Sequence, residues 1–158
     1  TTPYFNFFEL DVLCQMGKLT EVLDKIRSYW GGMLDLGAVT FWEEYDPSVP
    51  KEEQYDMYGD HFGKSLCHAW AASPIYFLAK YFAGLDLVNK DGVTYVLKPQ
   101  MQYFTELDCT LPVGSNGVVR LVWDGEILEI TPNADGGILE LGEQKLSLVR
   151  GETRRVKI

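Results

Sequence analysis

Two short segments of the sequence concentrate the residue types that could do chemistry. The first, TFWEEYD at residues 40–46, places two adjacent carboxylates directly after a pair of aromatic side chains. The second, SLCHAW at residues 65–70, contains His68 and Trp70. Carboxylates beside aromatic faces suit hydrolysis of a glycosidic bond, because one carboxylate activates water or attacks and another protonates the leaving oxygen, while an aromatic ring buries the apolar side of a sugar. These segments form the candidate site.

The same residues also have ordinary structural interpretations. Glu43 and Glu44 would then form a solvated loop surface without a role. His68 would be a core histidine bonded to a backbone partner, and Trp42 and Trp70 would be core packing residues. Residue type alone favours these interpretations, so a catalytic hypothesis needs further support.

The first half of the chain has the apolar spacing of helices that pack on one face. A helix is predicted from the TTP segment at residues 1–3, with Thr as cap and Pro at an early position, to Gly17. A second helix is predicted from Leu19 to the pair Gly31 and Gly32, and the short connection favours an antiparallel helical hairpin. The stripes expected to face a core are Phe5, Phe8, Val12 and Met16, then Leu19, Val22, Leu23, Ile26 and Trp30.

Between these helices and the next lies a long segment, residues 37–64, with weak periodicity. A loop of this length in a compact chain is typical of a functional or mobile region. Helix is predicted again at about residues 66–83, where Pro74 either kinks it or begins its main part with Ser73 as cap. Gly84 is expected to end it.

The first helix carries apolar residues nearly all round. Phe5 and Phe8 share one stripe, but Tyr4 and Phe7 point elsewhere. A helix of this kind packs on more than one side. We therefore expect these helices to have neighbours that the 158 residues do not contain.

The second half changes to the period-two alternation of strands. Strands are predicted at about residues 93–97, 107–111, 119–123, 127–131, 138–141, 146–149 and 154–158. Turn signals GSNG at residues 114–117 and Asp124-Gly125 separate them, the latter favouring a type I′ turn. The fold class is therefore α+β with segregated halves: helices at residues 1–86 and an antiparallel β-sandwich domain at residues 87–158.

Composition excludes several classes of function. Lys and Arg number 14 against 23 Asp and Glu, a formal net charge of −9, so there is no basic surface for nucleic acid. No apolar run approaches the roughly 20 residues of a membrane span. We expect no signal peptide before the first helix, and a chain that starts at Thr1 is expected to be a fragment or a processed product. Nothing in the composition decides between a periplasmic and a cytoplasmic location.

The cysteines do not indicate a disulfide framework or a metal site. Cys14, Cys67 and Cys109 are widely spaced and form no CxxC pattern, so we interpret them as small buried apolar residues. No Asp-rich oxygen-ligand loop stands out either. We predict no metal and no cofactor.

Three blocks resemble the bacterial α-L-rhamnosidases of glycoside hydrolase family 78. The first is TPYF at residues 2–5, leading into a helix that ends at Gly17. The second is GAVTFWE at residues 37–43, close to the family's G-A-T-T-x-W-E. The third is SLCHAWAASP at residues 65–74, followed by a helix ending in AGL at residues 83–85. The β half resembles the family's C-terminal sandwich more loosely.

The resemblance implies that residues 1–86 are the last helices of an incomplete (α/α)6 barrel that hydrolyses terminal α-L-rhamnosyl groups with inversion. It also implies roles: Glu43 is the general base, and His68 contacts the sugar. Trp42 and Trp70 are expected to line the substrate-binding surface. Val39 stands where the family usually has Thr, which removes one hydroxyl from the loop.

The resemblance leaves this chain without a general acid, because the family's acid lies upstream in a part of the barrel not present here. We therefore expect the chain to act on a rhamnoside only with that missing N-terminal part, and to be inactive alone. The alternative is a non-catalytic carbohydrate-binding or barrel-capping module, for which exposed Tyr103, Phe104 and Trp123 would be the sign. An uncovered apolar surface would also cause self-association, which gel filtration at two concentrations tests.

Overall fold

The computed structural model describes residues 2–90, 93–115 and 117–158. The chain divides into two compact units, Thr1–Phe77 and Leu78–Ile158. The predicted domain limits at residues 86 and 87 stay a prediction. None of the helices in the described ranges combines the length and apolarity needed to cross a membrane.

The first unit begins with two helices, α1 (Pro3–Gln15) and α2 (Leu19–Asp35). Gly17, with φ of 72°, ends α1: its N–H donates to the Cys14 carbonyl, and the Lys18 N–H donates to the Leu13 carbonyl at 2.9 Å. This pair of bonds is the Schellman motif, in which a glycine in the left-handed region satisfies the last carbonyls of a helix. The predicted end of the first helix is confirmed.

Helix α2 continues past its predicted end at Gly31 and Gly32. It ends at Gly37, with φ of 93°, in a second Schellman motif. Gly32 serves a different purpose: a Cβ built on it would lie 2.4 Å from the ring of Tyr45. The glycine lets Tyr45, in the loop after α2, pack directly on the helix backbone. The helix end predicted at Gly31 and Gly32 was wrong, because α2 continues through both residues.

The buried face of α1 is not the predicted stripe. Asn6, Leu10 and Cys14 are buried, whereas the four stripe residues are at least half exposed. The helix is apolar on two faces, and the sequence does not say which of them this chain covers. The predicted stripe of α2 is confirmed, because its members are buried except for Leu19, which is half-buried.

The predicted long helix at residues 66–83 is broken in the structure. Residues 65–68 are irregular, with a bend at residues 66 and 67, and Ala69–Ala71 form one 3₁₀ turn. Helix α3 spans Ser73–Phe77, with Pro74 in its first turn. In the second unit, Leu78–Phe82 follow as a π-helical turn. The structure thus favours Pro74 as a helix start, where its missing N–H costs nothing.

The second unit contains two four-stranded sheets. The strands are β1 (Leu85–Lys90), β2 (Val93–Leu97), β3 (Leu107–Pro112), β4 (Val118–Trp123), β5 (Ile127–Pro132), β6 (Gly137–Leu141), β7 (Gln144–Leu148) and β8 (Arg154–Lys157). The sheet orders are β1-β2-β6-β7 and β3-β4-β5-β8. The sequence predicted all of these strands except β1.

The sandwich is not purely antiparallel as predicted, because β2 and β6 pair in parallel. Their side chains meet those of the other sheet in one core that includes Tyr95, Leu121, Ile130 and Leu139. The hairpin at Asp124-Gly125 is confirmed. Of its two central residues, however, only Gly125 has positive φ, so it lacks the two left-handed residues of a type I′ turn. Within the other turn signal, Asn116 lies outside the described residues.

The cysteines differ in environment. All three are free thiols: Cys14 is buried, Cys109 is intermediate and Cys67 is exposed. The interpretation as buried apolar residues was therefore wrong for Cys67, which lies at a bend before the 3₁₀ turn.

Candidate active site

The structure brings the two chemistry-bearing segments together along their backbones. The Glu43 N–H donates to the Ser65 carbonyl at 2.8 Å, and the His68 N–H donates to the Phe41 carbonyl at 2.8 Å. The Thr40 hydroxyl donates to the Leu66 carbonyl. Because these backbone groups bond residues 40–43, residues 65–68 do not form helix, and the pairing places His68 beside Glu43.

The Glu43 carboxylate is held from two sides. The Tyr58 hydroxyl donates to Oε1 at 2.6 Å, and the Ser65 N–H donates to Oε2 at 3.1 Å. His68 Nδ1 lies 3.8 Å from Oε2. The Glu43 side chain is only 5% exposed, so these contacts replace most of its solvent. A buried carboxylate with several donors is fixed in both position and orientation.

The same contacts keep Glu43 ionised. The hydrogen bond from Tyr58 lowers the pKa of the Glu43 carboxyl most, burial opposes it, and the Ser65 N–H with the charges of His68 and Lys64 lowers the pKa further. The net effect is a pKa below the ordinary value of a glutamate. Near neutral pH this site therefore presents a carboxylate that can accept a proton.

Tyr58 reaches Glu43 from a tight turn that sequence reasoning missed. Tyr58 and Gly59 both have positive φ, 56° and 82°, and Met57 and Asp60 exchange two backbone hydrogen bonds across them. Two successive left-handed residues define a type I′ turn, and a tyrosine at the first of them is costly. The bond to Glu43 raises the pKa of the Tyr58 hydroxyl, which stays protonated as a donor. The only sequence signal was the glycine after Tyr58.

Trp70 and His68 form an aromatic edge beside the carboxylate. Their rings are 4.4 Å apart, and the Trp70 indole N–H donates to the Glu43 carbonyl at 3.3 Å. Trp70 is 42% exposed, and Tyr4 lies against it with ring centroids 5.8 Å apart. An indole that is fixed through its N–H and remains partly exposed can contact an apolar surface of a ligand.

Trp42 is placed differently from the other predicted site residues. It is 3% exposed and packs against the ring of Tyr55, with centroids 5.7 Å apart. This placement favours a packing role beneath Glu43. Its part in the substrate-binding surface stays a prediction.

The second unit lacks the exposed aromatic surface that a carbohydrate-binding module would need at Tyr103, Phe104 and Trp123. Trp123 is buried in the core of the sandwich, with its indole N–H bonded to the Phe104 carbonyl at 3.0 Å. Phe104 packs against the same core, and Tyr103 is half-buried beside Phe82. These three residues do not form an exposed face.

Comparison with solved structures supports the resemblance seen in the sequence. The crystal structure of a GH78 family rhamnosidase of Bacillus sp. GL1 matches with a TM-score of 0.62 over 90% of this chain, at 24% sequence identity. This chain shares its fold with a family 78 rhamnosidase. The match spans only 15% of the Bacillus rhamnosidase. No family model and no curated protein matches the chain.

Other carboxylates of the same loop form hydrogen bonds within local turns. Asp46 Oδ1 accepts bonds from the N–H and hydroxyl of Ser48, and Asp60 Oδ1 accepts the Phe62 N–H. Both carboxylates are occupied in local turns. Glu44 is adjacent to Glu43 and half-buried. In the described part of the chain, no cluster of three or more His, Cys, Asp or Glu side chains is arranged to hold a metal ion.

Proposed function

We propose that Glu43 is the general base of an inverting glycosidase site that releases terminal α-L-rhamnose. The observation that carries this proposal is the buried, ionised Glu43 carboxylate, fixed by Tyr58 and Ser65 beside the exposed edge of His68 and Trp70. The shared fold with a rhamnosidase supports the choice of reaction.

In this reaction a water molecule attacks the anomeric carbon from the face opposite the leaving group. Glu43 takes a proton from that water as the new C–O bond forms, and the glycosidic C–O bond breaks. A general acid on the other side of the sugar protonates the leaving oxygen, at about 6.5–9.5 Å from the base. The sugar is released with inverted configuration.

The neighbours of Glu43 have separate roles in the proposal. Tyr58 and Ser65 N–H orient the carboxylate and keep it ionised. His68 hydrogen-bonds a sugar hydroxyl, and the exposed part of Trp70 contacts the apolar side of the sugar ring. Trp42 packs against Tyr55 and supports the loop that carries Glu43.

The general acid is proposed to come from the missing N-terminal part of the enzyme. The exposed stripe of α1, formed by Phe5, Phe8, Val12 and Met16, is the surface that this part would cover. A continuous row of exposed large apolar side chains on one helix is typical of an unsatisfied packing surface. The predicted (α/α)6 barrel would thus be completed by helices supplied from outside these residues.

The proposal is tested by release of nitrophenol from a chromogenic α-L-rhamnoside. We expect no enzyme-like release by the 158-residue chain alone. We expect release by a chimera in which this chain replaces the matching 15% of the Bacillus sp. GL1 rhamnosidase. Turnover by the chain alone, lost on Glu43→Gln, would instead mean that the acid lies within these residues.

Replacing Tyr58 with Phe is expected to raise the pKa of Glu43, because the largest contribution to its depressed value is removed. A carboxyl with a depressed folded-state pKa adds stability above its unfolded pKa and loses it as the pH falls through the folded pKa. In Tyr58→Phe the contribution of Glu43 to stability is therefore smaller and its loss is complete at a higher pH, and in the chimera the acid limb of the rate profile moves to higher pH. Carbon NMR of the Glu43 carboxyl measures the shift directly.

Tyr55→Phe is the matched control, since its hydroxyl comes from the same loop but is not one of the donors to Glu43. An unchanged Glu43 titration in Tyr58→Phe would show that the hydrogen bond does not set the pKa. A shift of equal size in Tyr55→Phe would point to a general disturbance of the loop.

The non-catalytic alternative has less support. A binding module on the second unit would need its aromatic side chains at the surface, and Trp123 is buried with its N–H satisfied internally. The polar and aromatic groups suited to a sugar lie around Glu43 in the first unit.

A further inference from the structure

The hydrogen bond between Tyr58 and Glu43 joins an exposed ring to a covered carboxylate. The Glu43 side chain is 5% exposed, whereas Tyr58 is 79% exposed. The Tyr58 hydroxyl lies 2.6 Å from Oε1 of Glu43. The carboxylate is therefore covered on its Oε1 side by a side chain that itself lies mostly in solvent.

This arrangement leaves little room for an attacking water. A carboxylate has about four lone-pair positions, and the water must donate its hydrogen to one of them. At Oε2 the Ser65 N–H already donates, and His68 faces the same oxygen at 3.8 Å. Because the Glu43 side chain is so little exposed, the positions without a donor are mostly closed to solvent as well. A sugar and its water therefore reach Glu43 only if one of these neighbours moves.

Tyr58 is the neighbour that is least held in place. The donor on Ser65 is a backbone group, and the Ser65 carbonyl also accepts the Glu43 N–H. The His68 ring packs on Trp70, with centroids 4.4 Å apart. In the described part of the chain, by contrast, no aromatic ring lies against Tyr58. Moving its ring away costs the one hydrogen bond to Glu43.

The backbone around Tyr58 is held much more tightly than its ring. The turn is closed by two hydrogen bonds between Met57 and Asp60. It also packs on Gly63, where a Cβ would lie 2.2 Å from the Met57 carbonyl oxygen. The motion open to Tyr58 is therefore rotation of its side chain between rotamers, with the turn unchanged.

We propose that Tyr58 is a gate on the Glu43 base, which covers the carboxylate in the free enzyme and rotates away when the sugar binds. In the free enzyme the Tyr58 hydroxyl occupies the position at Oε1 that the attacking water takes in the complex, since 2.6 Å is the usual distance from an O–H donor to a carboxylate. Ser65 then orients the carboxylate without Tyr58. The inference rests on the proposed function of Glu43 and deepens it.

Opening the gate also makes Glu43 a stronger base. The hydrogen bond from Tyr58 is the largest of the effects that lower the pKa of the Glu43 carboxyl. The other titratable groups that lower this pKa are His68 and Lys64, which the gate does not move. When Tyr58 leaves, the pKa of Glu43 rises, and the carboxylate accepts the proton of the water more readily. Binding of the sugar thus admits the water and strengthens the base together.

The test compares two pH profiles of the chimera with the Bacillus sp. GL1 rhamnosidase, measured on a chromogenic α-L-rhamnoside. The acid limb of kcat/KM reports the free enzyme, in which the gate is closed, and the acid limb of kcat reports the complex, in which it is open. In Tyr58→Phe we expect the limb of kcat/KM to move to higher pH and the limb of kcat to stay in place. Tyr55→Phe, the matched control, should move neither limb.

A second measurement follows the ring itself and needs no turnover. Fluorine NMR of a 3-fluorotyrosine at position 58 of the chimera is recorded during titration with L-rhamnose. We expect a saturable shift of this signal towards its position in the Glu43→Ala chimera, where the hydrogen bond is absent. An unchanged signal at the highest rhamnose concentration would overturn the gate.

The two profiles separate failure of the gate from failure of the proposed function. Equal movement of both limbs in Tyr58→Phe would show that the hydrogen bond persists in the complex, and would overturn the gate while Glu43 remains the base. An unmoved limb of kcat/KM would also overturn it. If Glu43→Gln keeps its rate within about tenfold of the parent chimera, the proposed function fails, and the gate on that base fails with it.

Discussion

Replacing Glu43 with Gln in the chimera with the Bacillus sp. GL1 rhamnosidase is expected to lower kcat/KM by about 10²- to 10⁴-fold, the usual contribution of a general base. The amide has nearly the shape of the carboxylate and can still accept the bond from Tyr58, but it cannot take a proton from water. Initial rates on a chromogenic α-L-rhamnoside measure the effect. In Glu43→Gln the Ser65 N–H would face the amide nitrogen instead of a carboxylate oxygen. The unfolding free energy of the variant is therefore measured together with the rates.

Glu44→Gln is the matched control, since it makes the same chemical change one residue away. Its kcat/KM should stay within about tenfold of the parent chimera, which is about 1.4 kcal/mol of barrier. If Glu43→Gln also stays within that range while folding normally, Glu43 is not the base, and its burial and hydrogen bonds serve the loop structure alone.

The adjacent glycines of α2 are expected to respond to alanine in opposite directions. Gly32→Ala drives a methyl group into the ring of Tyr45, since its Cβ would lie 2.4 Å from that ring. Overpacking of this kind lowers the unfolding free energy by about 1–3 kcal/mol. Because Tyr45 lies two residues from Glu43, a shift of Tyr45 in Gly32→Ala should also displace the Glu43 carboxylate. Denaturant unfolding of the chain measures the loss.

Gly31→Ala is the internal control, because nothing lies within 4 Å of a Cβ at that position. In a helix interior alanine is favoured over glycine by roughly 0.5–1 kcal/mol, so this variant should be more stable than the wild type. Equal effects of the two substitutions would show that the approach of Tyr45 to α2 is not tight.

Much of the second unit follows from the sequence, because a period of two with turn residues is a local signal. The strand β1 was missed because it follows Gly84 where helix was expected to end, and its residues are mostly exposed and do not alternate. The parallel pairing of β2 with β6 was also missed. These strands are far apart in the sequence, so no local pattern reports on their pairing.

In the first unit, the sequence predicted both helices and singled out the two loop segments that the structure brings together. It could not predict the hydrogen bond from Tyr58 to Glu43. That contact depends on a turn in which Tyr58 has a left-handed backbone conformation, which tyrosine does not favour. The sequence also could not show that Gly32 makes room for the ring of Tyr45. In a sequence, a glycine needed for close packing cannot be distinguished from a glycine that ends a helix. Which face of α1 is buried depends on the elements that pack against the helix, and these are set by the complete fold and not by the local sequence.

The central claim is that Glu43 activates the attacking water, and azide tests it most directly. In the Glu43→Ala chimera, azide enters the space left by the carboxylate and attacks the anomeric carbon without needing a base. The account predicts that azide restores nitrophenol release and yields a rhamnosyl azide of inverted, β configuration, read by proton NMR. Failure of azide to raise the rate of a folded Glu43→Ala chimera, or formation of the α-azide, would contradict it.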